Sequence, residues 1–295
     1  MIMKIIDGKL VFENVKERLK KEVAGLIDKG INPHLVAILV GSDPASQTYV
    51  GAKEKASAEI GILSTVYRYE ESISEQELIK CIQVINDDEE VHGLIVQLPL
   101  PKHISTDKVI NTINPKKDVD GFHPENFGRM ALDLPSYFPA TPNGILELIK
   151  YYNIETSGKH CVVLGRSNIV GRPISLMMAQ KKYPGDSTVT VCHTRTKNLN
   201  EIARSADILI AAMGFQPLSV TKDMVKEGAV VIDVGIHRIE DKSKKSGFRL
   251  VGDVDYDNVA EKTSYITPVP GGVGPMTIAS LLANTVKAAK KEIYH

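Results

Sequence analysis

The chain has 295 residues, enough for two domains with full cores. Its hydrophobic fraction of 43% and charged fraction of 24% are those of an ordinary globular protein. Because 36 basic residues balance 36 acidic ones, no overall field favours nucleic acid or an anionic membrane, and we expect neither as a partner. Three scattered cysteines, the absence of a membrane-length apolar run and a start unlike a secretory signal predict a cytoplasmic protein.

The first half of the chain alternates apolar strands with amphipathic helices. A helix near 11–29 precedes the apolar run LVAILVG at 35–41. Strand-like segments follow at 64–70 and 92–101, with a helix near 74–86 between them. This alternation predicts an α/β domain with a parallel sheet, in which ligands bind beyond the carboxyl ends of the strands.

The segment from Asp43 to Gly61 predicts a helix directly after the first buried strand. Asp43 suits the cap, Pro44 the first turn and Gly61 a left-handed stop. Helical spacing predicts one face made of Ala45, Tyr49, Ala52, Lys53, Ala56 and Ile60. A lysine on such a face has two interpretations. Its stem lies along the core with the ammonium in water, or the ammonium belongs to a site.

Polar residues also follow the strand near 92–101. Gln97 ends the apolar run GLIV, at the sheet edge where the helix of Lys53 begins, although it would equally satisfy a strand-end backbone group. Asp118 and Asp120 lie in the segment KKDVDGF. Short carboxylates favour turns, and we interpret Asp118 as a turn former. Asp120 is the candidate site residue of the two.

The second half predicts a doubly wound dinucleotide-binding domain. A helix opens with Thr141 as its cap, and an apolar strand then leads into the turn GRSNIVG and a further helix. Apolar strands near 188–193, 207–214 and 229–235 follow, with helices near 199–205 and 222–226. Backbone amides of the turn, which contains Gly165, Ser167 and Gly171, would hold a pyrophosphate.

The end of the second strand of this domain favours NADP over NAD. NAD-binding domains commonly carry an acidic residue there for the ribose 2′-hydroxyl. This strand ends instead in His193, Thr194 and Arg195, and Arg166 lies in the preceding turn. Two arginines and hydroxyl donors suit a 2′-phosphate. The alternative for Arg195 is a solvated residue at a helix entry.

Other chemistries lack their motifs. Position 169 is Ile rather than the second glycine of a nucleophile elbow, and no His/Cys spacing predicts a protein-held metal. One further stretch is exceptional, TPVPGGVGPMT at 267–277, with three prolines and three glycines in nine residues. We expect it to form an irregular backbone wall beside a ligand rather than a regular element.

Taken together, these motifs resemble the bifunctional methylenetetrahydrofolate dehydrogenase/methenyltetrahydrofolate cyclohydrolase family. The matching blocks run in order from about residue 40 to 280 and are SDPASQTYVGAKEKASAEIGI, GLIVQLPLP, KDVDGF, PATPNGI, GRSNIVGRP, AVVIDVG, GDVD and TPVPGGVGPMT. Two departures are visible. Ala140 replaces a cysteine common in the family, and Thr194-Arg195 stands where Ser-Lys pairs are frequent, keeping a hydroxyl and a cation.

The resemblance implies a site between two domains. It implies a folate-binding catalytic domain of 1–140 plus 276–295, closed by a C-terminal helix, and an NADP-binding Rossmann domain of 141–275 in a homodimer. It assigns the catalytic and folate site to Tyr49, Lys53, Gln97 and Asp120. It places Pro270, Gly271 and Gly272 between the two ligands. It assigns the NADP site to Gly165, Arg166, Ser167, Gly171, Thr194, Arg195 and Ile236.

The implied reaction belongs to one-carbon metabolism that feeds purine biosynthesis. A hydride passes from 5,10-methylenetetrahydrofolate to NADP+, and water then opens the methenyl product to 10-formyltetrahydrofolate. A buried Lys53 with a lowered pKa would move protons in the second step. Three alternatives stay open. They are a dehydrogenase without cyclohydrolase activity, a catalytically silent folate- or NADP-binding regulator, and a shikimate-type dehydrogenase, which has no reason to carry TPVPGGVGPMT.

Overall fold

A computed structural model describes residues 3–244 and 247–294. By their contacts the residues divide into two compact units. The Rossmann unit consists of Met1–Phe12 and Thr141–Thr277, and the lysine unit of Glu13–Ala140 and Ile278–His295. Among the helices of the described residues, none has both the length and the apolar character needed to cross a membrane.

The elements alternate along most of the chain. The strands are β1 (Lys4–Ile5), β2 (His34–Val40), β3 (Leu63–Tyr69), β4 (Gly93–Val96), β5 (His160–Leu164), β6 (Thr188–Cys192), β7 (Ile208–Ala211), β8 (Ala229–Asp233), β9 (His237–Glu240), β10 (Phe248–Val251) and β11 (Thr263–Ile266). The α-helices are α1 (Gly8–Ile27), α2 (Pro44–Ile60), α3 (Glu75–Asp87), α4 (Thr106–Thr112), α5 (Pro124–Ala131), α6 (Ala140–Tyr151), α7 (Gly171–Ala179), α8 (Leu199–Arg204), α9 (Tyr256–Val259) and α10 (Val273–Ala289).

The lysine unit contains a three-stranded parallel sheet in the order β3-β2-β4. The central strand β2 is buried along nearly its whole length because it has a neighbour on each side and apolar residues on both faces. Ile38 of β2 packs in one core with Leu78 and Ile82 of α3 and with Leu94 of β4. The carboxyl ends of all three strands therefore meet at one edge of the sheet.

The Rossmann unit contains a six-stranded parallel sheet in the order β1-β11-β8-β7-β5-β6. Strand β5 lies between β6 and β7, so the direction of winding reverses at its carboxyl end. Ligands of doubly wound sheets bind at such a switch point. The antiparallel pair β9–β10 forms a separate small sheet. The predicted fold class, a two-domain α/β protein with a Rossmann-like domain, is confirmed.

Three local predictions were wrong. Helix α6 begins at Ala140, so Thr141 lies inside the helix rather than at its cap. The helix expected near 222–226 is a single 3₁₀ turn, Lys222–Met224. Helix α10 begins at Val273, so the end of the segment 267–277 is helical after all. Pro275 is tolerated there because the amides of a first helical turn have no partner within the helix.

Candidate active site

Helix α2 is fixed at both ends by the residues expected from the sequence. The Asp43 carboxylate accepts a hydrogen bond from the Ser46 amide at 2.7 Å, and Pro44 is the first helical residue. Gly61 ends the helix with a φ of 86°, a conformation that favours glycine. Because α2 follows β2, its start lies at the carboxyl edge of the lysine-unit sheet.

The buried face of α2 differs from the predicted face. Ala45 and Ala52 are exposed, whereas Lys53, Ala56 and Ile60 are buried as expected. The buried residues are Ser46, Val50, Lys53, Ala56, Ser57 and Ile60. Alanines fit either side of a helix, so they defined the face poorly, and the larger Val50 and Ile60 set it.

Lys53 is buried, and its ammonium group bonds a neighbouring side chain. The residue is 8% exposed, and Nζ donates a hydrogen bond to Oε1 of Gln97 at 3.1 Å. The partner of the cation is therefore a neutral amide, not a carboxylate. This contact favours the interpretation in which the ammonium belongs to a site.

Gln97 continues the sheet beyond β4 and turns its side chain toward α2. Its backbone amide donates to the carbonyl of Ile38 in β2 at 2.9 Å, so the strand ladder fixes its position. Its Nε2 donates to the carbonyl of Leu98 at 2.7 Å. With Nε2 engaged in this way, Oε1 is left facing Lys53. Gln97 thus satisfies a strand-end backbone carbonyl, as the structural interpretation expects, and also accepts a hydrogen bond from Lys53.

Asp120 lies within the electrostatic reach of Lys53. Removal from water raises the pKa of the Asp120 carboxyl, the Lys53 ammonium lowers it, and the neighbouring Asp118 carboxylate raises it further, with a net rise. The Asp120 carbonyl accepts from the Ala140 amide at 3.3 Å. A partly buried carboxyl held near a buried cation is suited to accept N–H donors from a ligand.

Asp118 has the structural role expected for a turn former. It is 2% exposed, and its carboxylate accepts from the amides of Phe122 at 3.2 Å and His123 at 2.8 Å. Tyr49 lies one helical turn before Lys53 and is partly buried, which raises the pKa of its phenol. The structure therefore brings Lys53, Gln97 and Asp120 together, with Tyr49 on the adjacent turn of α2.

The turn after β5 depends on close contact between backbones. Gly165 has a φ of 126°, and a Cβ there would lie 2.1 Å from the Ala212 carbonyl oxygen. A Cβ on Gly171, the first residue of α7, would lie 2.3 Å from the Gly165 carbonyl oxygen. Only glycine fits either position. The resulting concave turn, followed by a helix N-terminus, is suited to bind a pyrophosphate.

The Ser167 side chain stabilises the turn just before this helix, whose N-cap residue is Val170. Its Oγ accepts from the amides of Val170 at 3.2 Å and Gly171 at 3.3 Å. Arg166, Thr194 and Arg195 are exposed, and all three follow the carboxyl ends of adjacent strands, β5 and β6. Two cations at the switch point of the sheet fit the chemistry of a 2′-phosphate.

The segment with Pro270, Gly271 and Gly272 packs against the start of α1 within the Rossmann unit. The Gly8 amide donates to the Gly271 carbonyl at 2.9 Å. A Cβ on Gly8 would lie 1.8 Å from the Gly272 carbonyl oxygen. Gly271 itself has a φ of 109°. These contacts make the rigid, close-packed backbone that the sequence predicted for the segment.

A buried acidic cluster at the carboxyl edge of this sheet was not predicted. Asp233 accepts from the amides of Gly235, Asp253 and Val254, and burial raises the pKa of its carboxyl to about 7. Asp253 accepts from the Met213 and Gly214 amides and contacts Nε2 of His237 at 2.8 Å. The segments AVVIDVG and GDVD contain these residues, but no sequence pattern indicates that they meet.

The acidic cluster holds Gly235, the residue before the predicted cofactor residue Ile236. The Gly235 amide bonds Asp233, and Ile236 follows with 47% of its surface exposed. All of the predicted cofactor residues thus lie after the carboxyl ends of β5, β6 and β8. Within the described residues, no group of three or more His, Cys, Asp and Glu side chains is arranged to hold a metal ion.

Comparison with known proteins covers both units. Residues 6–120 match the catalytic domain of the tetrahydrofolate dehydrogenase/cyclohydrolase family, and residues 139–293 match its NAD(P)-binding domain. The chain is 61% identical over 293 residues to the bifunctional protein FolD of Phocaeicola vulgatus, across 99% of this chain and 100% of that protein. It is 55% identical to the bifunctional protein FolD of Porphyromonas gingivalis across 97% of each chain.

Solved structures agree with these matches. The FolD methylenetetrahydrofolate dehydrogenase/cyclohydrolase of Campylobacter jejuni is 50% identical with a TM-score of 0.92, over 99% of this chain and 100% of that one. The Trypanosoma brucei methylenetetrahydrofolate dehydrogenase-cyclohydrolase, solved with NADP and an inhibitor, is 38% identical with a TM-score of 0.93, over 99% of each chain. The chain therefore belongs to the tetrahydrofolate dehydrogenase/cyclohydrolase family, as its motifs predicted.

Proposed function

We propose that this protein oxidises 5,10-methylenetetrahydrofolate with NADP+ and then hydrolyses the methenyl product to 10-formyltetrahydrofolate. The family match supports both activities. The observation that carries the residue assignment is the buried pairing of Lys53 with Gln97 beside Asp120, at the ligand-binding edge of a parallel sheet. Burying an ammonium without a carboxylate partner is unfavourable, so a functional reason for keeping it is expected.

Lys53 is the proposed proton carrier of the hydrolytic step. Water adds to the methenyl carbon, and one of the two carbon–nitrogen bonds to that carbon then breaks. The first event releases a proton. The second needs one at the departing nitrogen and releases the hydroxyl proton as the formyl C=O forms, so one proton is released overall. An amine held by Gln97 in a site poor in water is suited to take the proton and deliver it. Gln97 orients the Lys53 side chain. The remaining lone pair or N–H groups of Lys53 Nζ then face the substrate.

Tyr49 and Asp120 are the proposed substrate contacts. Tyr49 lies on the turn of α2 before Lys53, and its ring would pack against the substrate. The Asp120 carboxylate is an acceptor for the amino and ring N–H groups of a pterin. The close-packed segment of Pro270, Gly271 and Gly272 is the proposed backbone wall for the ligands.

NADP fits the residues of the Rossmann unit. The turn between Gly165 and Gly171 has no room for a Cβ, and α7 begins directly after it, as a bound pyrophosphate requires. We propose that Arg166 and Arg195, with Thr194, bind the 2′-phosphate, that Ser167 keeps the turn in shape and that Ile236 packs against the cofactor. When bound, NADP+ accepts the hydride, and the protein supplies position.

The runner-up function is a dehydrogenase without significant cyclohydrolase activity. The fold and the NADP site are the same in both cases, and the protonation of Lys53 decides between them. A dehydrogenase of that kind accumulates the methenyl intermediate during turnover, whereas the bifunctional enzyme passes it on to 10-formyltetrahydrofolate.

A spectrophotometric assay of the purified protein tests the proposal. We expect reduction of NADP+ in the presence of 5,10-methylenetetrahydrofolate, a weaker reaction with NAD+, and decay of added methenyltetrahydrofolate faster than its spontaneous hydrolysis. No reduction of either cofactor would contradict the dehydrogenase and would instead support a silent binding protein. Reduction without faster methenyl decay would leave only the dehydrogenase.

We also propose that the protein acts in the cytoplasm as a homodimer. The folate-binding domain is assigned to 1–140 with 276–295 and the NADP-binding domain to 141–275, with the difference that β1 of the first segment pairs in the sheet of the Rossmann unit. Exposed apolar side chains near the free edge strand β6, such as Val191 at 40% and Leu176 of α7 at 38%, are consistent with a protein surface that pairs. Light scattering should give twice the chain mass of 32.3 kDa, and a mass of one chain would contradict the dimer.

A further inference from the structure

The C-terminal end of the chain returns to the loop that carries Asp120. After α10 ends at Ala289, a short turn leads to Tyr294, whose phenolic O–H donates to Oδ1 of Asn126 in α5 at 2.9 Å. The Arg129 guanidinium lies 5.1 Å from the centre of the Tyr294 ring, and the Tyr137 ring centre lies 5.9 Å away. Burial, with a contribution from Glu125, raises the pKa of the phenol to about 12, so it stays a donor.

The side chain of Asn126 links Tyr294 to Asp118 through hydrogen bonds to both. The side chain of Asn126 is fully buried, and its Nδ2 donates to Oδ2 of Asp118 at 2.9 Å and to the Pro115 carbonyl at 3.0 Å. Its Oδ1 faces Tyr294 and the more distant Tyr137 amide at 3.5 Å. The phenol therefore holds the amide in the orientation that presents N–H groups to the Asp118 carboxylate.

Asp118 in turn holds the two residues that follow Asp120 and Gly121. Its oxygens accept from the amides of Phe122 and His123, and its carbonyl accepts from the Gly121 amide at 3.2 Å. Gly121 has a φ of 72°, and a Cβ there would lie 2.6 Å from the Tyr137 carbonyl oxygen. Asp120 is thus carried on a turn in which the three residues that follow it are held by hydrogen bonds to Asp118.

We propose that Tyr294 is a positioning residue for substrate binding, acting through Asn126 and Asp118 on the turn that carries Asp120. This inference rests on the proposed function, in which Asp120 binds the folate. None of the motif blocks of the sequence includes Tyr294 or Asn126, which are 168 residues apart in the chain. The contact therefore adds a determinant of folate affinity at the last residues of the chain.

Steady-state kinetics of Tyr294→Phe tests the inference. Phenylalanine keeps the ring that lies against Arg129 and Tyr137 but removes the hydrogen bond to Asn126. We expect KM for 5,10-methylenetetrahydrofolate to rise on the order of 3- to 10-fold, the size expected for one lost neutral hydrogen bond. We expect kcat and KM for NADP+ to stay within about twofold of wild type, as uniform binding of the substrate predicts.

Tyr183→Phe is the matched control. It also removes one tyrosine hydroxyl hydrogen bond, to the Ile149 carbonyl at 3.1 Å, but within the Rossmann unit. It should leave KM for the folate unchanged. If Tyr294→Phe raises both KM values together, or lowers only the thermal midpoint and leaves both KM values unchanged, the residue is structural and the inference is wrong.

Hydrogen exchange provides a readout that does not depend on turnover. In Tyr294→Phe the amides of Phe122 and His123, which bond Asp118, should exchange faster than in wild type, while the amides of β5 stay unchanged. Equal exchange at 122–123 in both proteins would overturn the inference even if kinetic constants differ.

Asp120→Asn separates the two levels of the proposal. If this variant raises KM for the folate and Tyr294→Phe does not, the proposed function stands and the positioning role of Tyr294 fails. If Asp120→Asn leaves KM for the folate unchanged, the assignment of Asp120 in the proposed function is wrong, and the inference built on it falls as well.

Discussion

Burial distinguishes Lys53 from Lys55, the other lysine of α2. Lys55 lies two residues further along and is exposed, whereas Lys53 is 8% exposed and bonds the Gln97 amide. The sequence identified Lys53 because a lysine stood on a mostly apolar or small-residue face. It could not identify the hydrogen-bond partner from spacing alone, since Gln97 follows a different strand, 44 residues away.

Lys53→Met should remove the cyclohydrolase activity. Methionine fills much of the same volume without an amine, so the proton transfers of ring opening lose their carrier. We expect the rate of methenyltetrahydrofolate hydrolysis to fall on the order of 10²- to 10⁴-fold. NADP binding, measured by fluorescence titration, should stay as in wild type. Lys55→Met is the control and should keep full activity, and survival of hydrolysis in Lys53→Met would refute the assignment.

Arg195→Ser should weaken the preference for NADP over NAD. Arg195 is exposed beside Thr194 at the end of β6, and its guanidinium is the proposed partner of the 2′-phosphate. Loss of one charge-assisted hydrogen bond should raise KM for NADP+ about tenfold and leave KM for NAD+ unchanged. Lys197→Ser, which removes a nearby exposed cation, is the control. A solvated helix-entry residue, the alternative interpretation, would show no change with either cofactor.

Strong local patterns predicted the elements well. Asp43, Pro44 and Gly61 bound α2 where expected, and the apolar run 35–41 became β2. The weaker elements depend on distant partners instead. Strand β1 has two residues and pairs with β11 at the other end of the chain, and the ribbon β9–β10 is half exposed. Neither carries enough apolar periodicity to be found without its partner.

Two glycine substitutions, one in the phosphate-binding turn and one in α1, test whether that turn binds NADP. In Gly171→Ala the new Cβ would lie 2.3 Å from the Gly165 carbonyl oxygen, so α7 has to move away from the turn. We expect NADP binding, followed by titration, to weaken at least tenfold. Gly25→Ala in α1 meets nothing within 4 Å and should instead raise the free energy of unfolding by about 0.5–1 kcal/mol.

Unchanged NADP affinity in Gly171→Ala would contradict the placement of the cofactor. Loss of affinity in Gly25→Ala as well would show that the assay reports general damage rather than the turn. Together the two variants distinguish a specific effect on the NADP-binding turn from a general loss of structure.

At the scale of the whole molecule, the sequence predicted the family, the fold class, the enzyme class and the cofactor, and the comparisons confirm these predictions. The roles of individual residues stay predictions. What composition and periodicity could not provide are contacts between distant segments. Asn284 of α10 donates to the Val119 carbonyl, next to Asp120, and Tyr294 reaches Asn126. Such contacts exist only once the C-terminal residues have returned to the lysine unit.

The acidic cluster of the Rossmann unit should make stability depend on pH. Burial raises the pKa of Asp233 to about 7, from an ordinary value of 3.8, and the Asp253 carboxylate contributes to the rise. The folded state thus holds this proton more tightly than the unfolded state. The contribution of this proton to the free energy of unfolding is complete below pH 3.8. It falls by at most about 1.4 kcal/mol per pH unit as pH rises toward 7, and it is lost above that range.

Asp233→Asn removes this titration and allows the effect to be isolated. Urea unfolding followed by circular dichroism at pH 5, 6, 7 and 8 gives the unfolding free energy of wild type minus that of the variant. We expect this difference to decrease as pH rises to about 7 and then to level off. The exposed Asp257 provides the control, because Asp257→Asn changes the same charge outside the cluster. A difference between wild type and Asp233→Asn that stays constant from pH 5 to 8 would mean that Asp233 is ionised throughout. Its three backbone donors, from Gly235, Asp253 and Val254, would then outweigh the loss of water.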